Sequence, residues 1–154
     1  MTFEKTPRGT YGQNIPPFAV PLLKLINPLM LRQARRSKAK PRGLNLVVLT
    51  TIGAKSGQRR QTVLGALPDG DNAWIIIASA GGSVTNPAWY HNLAAHPEQA
   101  EIEVSGGKHA VTATQLAGDE RDDAWQRVLA ASPRYAGYEK KTDRHIPLIR
   151  LTAS

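Results

Sequence analysis

The sequence predicts a small α+β, mainly β, barrel of about six mostly antiparallel strands with flanking helices. Three observations predict it. Short β-rich runs recur over residues 44–116 and again at 146–151. Turn signals built on Gly, Asn and Asp separate several of these runs, as hairpin links require. No helical pattern alternates with the strands over residues 44–78, so a doubly wound parallel sheet does not fit.

Residues 1–16 read as a flexible N-terminal arm, and residues 17–154 as a single domain. Within 17–36, Val20, Leu22, Leu23, Leu25, Ile26, Leu29, Met30 and Leu31 recur at about helical spacing. Pro21 and Pro28 interrupt this run, which predicts a kinked helix or two short ones. Arg32, Arg35 and Arg36 follow. An apolar face with a basic end is read first as packing on the core with its basic end solvated, and peripheral contact with an anionic membrane is the alternative.

Residues 44–51 (LNLVVLTT) form the first expected strand and 53–60 a Gly-containing turn. Residues 61–67 and 73–78 are the next two strands, joined by the turn signal Asp69-Gly70-Asp71-Asn72. Asn86 offers an N-cap and Pro87 a first-turn proline, so a short helix is expected from Pro87 to about His96. Residues 101–104 alternate strictly, Gly106-Gly107 supplies a turn, and 108–116 is the partner strand. Residues 119–131 open with acids and carry Trp125, Val128 and Leu129 on one face, as a helix would. A last helix or turn holds Tyr135 and Tyr138, and 146–151 adds a final strand.

Composition narrows the function. The 154 residues contain no cysteine, which removes disulfides, thiolate zinc sites, iron–sulfur clusters and a cysteine nucleophile. His91 and His96 are five apart and do not share a helix face, so no metal site is expected. No secretory signal and no run of ~18–20 apolar residues is visible. A cytoplasmic protein is expected, peripheral on the inner membrane face if the 17–36 segment makes that contact. The formal charge of +8 favours an anionic partner: nucleic acid, a membrane surface or a phosphorylated small molecule. No nucleic-acid recognition motif is present, so that partner is not expected.

Three segments carry chemistry. The first is TTIGAKSGQRRQT, residues 50–62. Its glycines permit a tight turn with exposed amides, its Ser and Thr residues add hydroxyls, and Lys55, Arg59 and Arg60 add positive charge. That combination holds phosphate or carboxylate; a solvated hairpin turn is the alternative. Its spacing is not that of a P-loop. The second runs from Ala78 and Ser79 through Ala80, Gly81 and Gly82 to Asn86, Pro87, Ala88, Trp89, Tyr90 and Asn92. A strand exit feeds a Gly-rich loop and then a helix start, where an anion or an electron-rich ring edge is favoured. At least one of Trp89 and Tyr90 is expected to anchor the core. The third is Tyr135-Ala136-Gly137-Tyr138, two tyrosines on one face that could line a pocket.

TTIGAKSGQRR, ASAGG, NPAWYHNLAAHP and YAGYEKKTDRHIP, in that order and spacing, resemble the actinobacterial deazaflavin-dependent nitroreductase family. The resemblance spans residues 44–151. It implies a split β-barrel and the reduced deazaflavin coenzyme F420, used as a hydride donor to a quinone, enone or nitroaromatic small molecule. Lys55, Ser56, Gly57, Arg60 and Thr62 would contact the cofactor's anionic tail. Ser79, Ala80, Gly81, Gly82, Asn86, Pro87, Ala88, Trp89 and Asn92 would surround the tail or ring. Tyr135 and Tyr138 would line the substrate side, with Ser79 orienting the acceptor. Ala80 stands where the family often has lysine, so Arg59 or another basic residue is expected to compensate. Ser132 stands where nitroimidazole-activating members carry a third tyrosine, which weakens the expectation that bulky bicyclic nitroimidazoles are reduced. An FMN-dependent reductase on the same barrel and a non-catalytic F420-binding protein stay open, as does the choice between monomer and homodimer.

Overall fold

The computed structural model describes residues 9, 29, 31–36, 43–79, 86–142 and 144–154. The expected arm at 1–16, apart from Gly9, and most of the expected helix at 17–36 lie outside this set.

Six strands form: β1 (Asn45–Ile52), β2 (Arg59–Pro68), β3 (Ala73–Ile77), β4 (Ala100–Val104), β5 (Gly107–Gln115) and β6 (Leu148–Ala153). All pairings are antiparallel. The order β1-β2-β3-β6-β5-β4 closes on itself because β1 pairs with β4 as well as with β2. Closure removes the free edges that a meander would leave open. The β2–β3 seam is the exception. β2 has ten residues and β3 has five, and only Ala66–Pro68 pair with Trp74–Ile76. Among the described residues, β2 from Arg59 to Gly65 is therefore paired on one side only.

Alternation along the strands feeds two cores. Val47, Leu49, Ile76, Ile102, Val111, Ile149 and Leu151 fill the barrel. Helix α2 (Ala88–Ala95) sends Tyr90 and Leu93 into the same cluster. Buried Tyr90 keeps its hydroxyl satisfied by donating to Gln115 Oε1 at 2.6 Å. The second core lies on the outer face, where Leu67, Ile75, Ile77 and Leu148 meet Trp125, Val128 and Tyr135. Helices α3 (Gly118–Ala131) and α4 (Arg134–Lys140) supply the last three. Ile75–Ile77 thus serve both cores, which is why β3 reads as a continuous apolar run rather than an alternating one. The described end of the N-terminal helical segment, α1 (residues 31–36), packs on the barrel. Ala34 is buried there, and Arg35 Nε lies 2.9 Å from Glu103 Oε2 on β4.

Two boundaries depart from expectation. The last strand starts at Leu148 rather than Ile146, because Pro147 has no N–H to give a ladder. The β4–β5 turn is centred on Ser105 and Gly106, at φ 51° and 84°, not on Gly106-Gly107. Two successive positive φ values give the twist of a two-residue hairpin.

Asp69 ties the outer layer together. Its carboxylate receives Arg127 Nη1 at 2.9 Å and Arg150 Nε at 2.7 Å, joining the β2–β3 turn to α3 and β6. Partial burial would raise its pKa, but hydrogen bonds from Arg127 and Arg150 outweigh that and hold it below the ordinary carboxylate value. A depressed folded pKa stabilises above about pH 4, and the contribution disappears as the pH falls through the folded value. Asp69→Asn should lose about 1–2 kcal/mol at neutral pH. It should also flatten the acid limb of a denaturation series below about pH 4. An unchanged acid limb in the variant would contradict this role.

Candidate active site

The turn after β1 is shaped by backbone bonds. Gly53 N donates to Gln58 O at 2.8 Å and Gly57 N to Gly53 O at 2.9 Å. Gly57 sits at φ 69°, in the left-handed region that suits glycine. Ser56 Oγ accepts from Gln58 N at 3.2 Å. A Cβ at Gly53 would collide with that hydroxyl. The turn projects Lys55, Ser56 and Gly57 into solvent.

Alternation on β2 then separates the two arginines. Arg59 pairs with Glu101 Oε2 on β4 at 3.2 Å. Arg60 and Thr62 point to the other face, and Thr62 is half-buried. Lys55 and Arg60 are exposed and make no ion pair among the described residues. They are suited to an anionic ligand. Arg59 is already engaged with a carboxylate, so its suitability to replace the missing lysine at Ala80 is reduced.

Asn92 braces this turn from α2. Its Oδ1 accepts from Ala54 N at 2.9 Å and its Nδ2 donates to Thr51 Oγ1 at 3.1 Å. Both groups of the amide are thus committed inside the protein, giving a residue expected to touch cofactor a role in holding the turn.

The β3 exit is buried. Ala78 N donates to Pro147 O at 3.0 Å. Ala78 O and Ser79 O accept from Arg144 Nη1 and Nη2, at 3.0 and 2.7 Å. Asn86 Oδ1 accepts a short bond from Arg144 Nη1. That bond corrects the expected cap. α2 begins at Ala88 with Pro87 at the cap position and no side-chain cap bond, because the Asn86 carbonyl is directed to a guanidinium. Ala80, Gly81 and Gly82 lie outside the described residues. Ala88 is exposed and Pro87 half-buried. Half-buried Trp89 packs against the barrel core, and Tyr90 is the full core anchor.

Tyr135 and Tyr138 meet edge to face, with centroids 5.4 Å apart. Tyr135 is buried, and its hydroxyl lies 3.8 Å from where a Cβ on Gly65 would sit. This places the phenol beside the one-sided stretch of β2. Tyr138 packs at the rim of the outer core. The structure therefore brings the cationic turn, the open edge of β2 and a tyrosine pair along one strand. Six residue steps separate Arg59 from Gly65, about 20 Å of extended chain.

Sequence reasoning missed Arg144. Only its place within the resembled YAGYEKKTDRHIP segment hinted at it. The side chain is 4% exposed. Burial pushes its pKa down and the nearby Tyr90 works the other way; a guanidinium stays charged in proteins.

The fold is that of a small split barrel of six antiparallel strands with flanking helices, with Lys55 and Arg60 exposed at the β1–β2 turn. The match to the family model described as F420H(2)-dependent quinone reductase covers residues 30–153. A protein of Mycobacterium tuberculosis (strain H37Rv) named F420H(2)-dependent quinone reductase is 42% identical over 109 residues, 69% of this chain and 72% of its own. The solved structure of F420-H2 dependent reductase FDR-A superposes with a TM-score of 0.62 at 36% identity, covering 69% of this chain and 92% of that one. Another, described as a domain-swapped dimer, gives 0.65 at 29% identity over 85% of this chain and 98% of that one. The chain belongs to the F420H(2)-dependent quinone reductase family. Among the described residues, no helix is long and apolar enough to cross a membrane.

Asn92→Leu should unseat the β1–β2 turn while keeping the side chain's bulk. The unmet Ala54 N–H and Thr51 hydroxyl should cost about 1–3 kcal/mol in chemical denaturation. A variant as stable as the parent would refute the brace.

Proposed function

We propose that this chain binds reduced coenzyme F420 along the one-sided stretch of β2 and passes a hydride to a quinone. Enones and nitroaromatics are further acceptors of the same electronic type. The observation that carries this reading is the stretch from Arg59 to Gly65, with Lys55 and Arg60, which make no ion pair among the described residues, near one end and the Tyr135 hydroxyl at the other.

The residues present fit such a cofactor. Lys55 and Arg60, with the Ser56 hydroxyl, the Gly57 amide and Thr62, suit a phosphate and carboxylate tail. Ser79, Asn86, Pro87, Ala88 and Trp89 border the ring side. When bound, the reduced deazaflavin supplies two electrons as hydride. The chain's own residues do the rest. Trp89 and the barrel rim exclude water from the acceptor. The hydroxyls of Ser79, Tyr135 and Tyr138 are the donors for negative charge growing on the acceptor oxygen. Among the described residues, no hydrogen bond engages the Tyr135 hydroxyl, which leaves it available to a ligand.

Titration with F420 and with FMN, followed by fluorescence, separates the two cofactors. F420 should bind at micromolar levels or tighter and FMN more weakly. Tighter FMN binding, or no F420 uptake, defeats the reading. Oxidation of F420H2 by a simple naphthoquinone then distinguishes a reductase from a non-catalytic carrier, which would bind without turnover. Lys55→Ala with Arg60→Ala should weaken F420 binding about 10- to 100-fold. Tyr135→Phe should lower kcat about 100-fold with little change in F420 affinity. Full turnover by both Tyr135→Phe and Tyr138→Phe would remove the tyrosines from the chemistry.

A further inference from the structure

We infer that Arg144 is a positioning residue of the cofactor site, which sets the strand exit carrying Ser79 against the start of α2. The inference rests on the F420 reading above. A buried guanidinium is costly to desolvate and is retained where several acceptors converge on it. Here three do: the carbonyls of Ala78 and Ser79 and the side-chain carbonyl of Asn86. The first two end β3, and the third precedes α2 by two residues. One planar fork therefore fixes both ends of the connection between β3 and α2. Its rigidity sets a direction as well as a distance, which a lysine could not reproduce.

The fork is itself held from behind. Arg144 N donates to Thr142 Oγ1 at 3.1 Å. Two residues on, Ile146 O accepts from Arg121 Nη2 of α3 at 2.8 Å, and Pro147 O accepts from Ala78 N. The segment around 144–147 thus lies between the strand exit and the helix that precedes the tyrosine pair. Arg121 braces this segment but touches neither Ser79 nor Asn86, so it separates a general structural effect from positioning.

The test compares Arg144→Gln, Arg144→Lys and Arg121→Gln, measuring unfolding temperature without cofactor and F420 affinity by fluorescence titration. All three should unfold at lower temperature. Only the Arg144 variants should bind F420 about 10- to 100-fold more weakly, since buried charged hydrogen bonds to the site's frame are lost. At saturating F420H2 the Arg144 variants should also turn over more slowly, because the strand exit they loosen carries Ser79. If Arg144→Gln fails to fold, Arg144→Lys combined with Asn86→Ala carries the test. Loss of affinity in the double variant should fall short of the product of the single losses, because both act through one bond. Equal affinity losses in the Arg121 and Arg144 variants, unchanged affinity in Arg144→Lys, or fully multiplicative losses would each overturn the inference. Failure of the parent protein to bind F420 would instead defeat the functional reading.

Discussion

Strand β2 carries ten residues beside a β3 of five, and three pairs join them. An antiparallel barrel is stable because each strand satisfies its neighbours' backbone groups. Here the ladder stops early on one side of β2, and among the described residues seven are left paired only to β1. Those seven stay extended because β1 continues pairing with β2 out to Ile52 and Arg59. Length mismatch in an otherwise closed barrel thus produces a partly exposed strand edge without loosening the core. The cationic turn caps one end of that edge because the β1–β2 hairpin has to reverse there. The tyrosine helix lies near the other end because the outer core must be covered.

Apolar packing alone would not hold the loops at such an edge. The turn after β1 projects beyond the ladder, and the strand pairing of β3 ends at Ile77. Two buried polar side chains replace it. Asn92 reaches from α2 to the first turn, and Arg144 reaches from the β6 approach to both ends of the second connection. α2 lies between the two braces, and its Tyr90 and Leu93 are sunk in the barrel. Polar groups inside a protein cost little only when their partners are supplied. The outer layer uses the same device at Asp69, between Arg127 and Arg150, but at a more exposed place and for stability alone.

The strand and helix order was legible in the sequence because local signals agreed with tertiary demand. Glu101-Ile102-Glu103-Val104 alternates, and Asp69-Gly70-Asp71-Asn72 marks a reversal between two β-rich runs. The misreadings share a cause. Asn86-Pro87 carries the local signature of a helix cap, but a guanidinium 58 residues away takes the carbonyl. Ile146 belongs by pattern to the last strand, yet Pro147 stops the ladder. Ser105 adopts a positive φ that no propensity favours for serine, and the hairpin twist imposes it. Arg144 gave no signal of its own, because burial of a single arginine depends on acceptors from two distant segments. Short-range chemistry is written in adjacent residues; long-range hydrogen bonding is not.

The charge of +8 also resolves into distinct groups once geometry is known. Arg35, Arg59, Arg127 and Arg150 are matched to carboxylates, and Arg121 and Arg144 to backbone carbonyls. Net basicity therefore says less about partners than the position of the cations left exposed. Adjacent arginines make the point most directly. Arg59 and Arg60 differ by one residue, and a strand turns that difference into opposite faces. One neutralises Glu101 across the sheet. The other is left with Lys55 beside an open strand edge. A one-residue shift of register would exchange their roles, so the hairpin that fixes the register also decides which arginine meets Glu101.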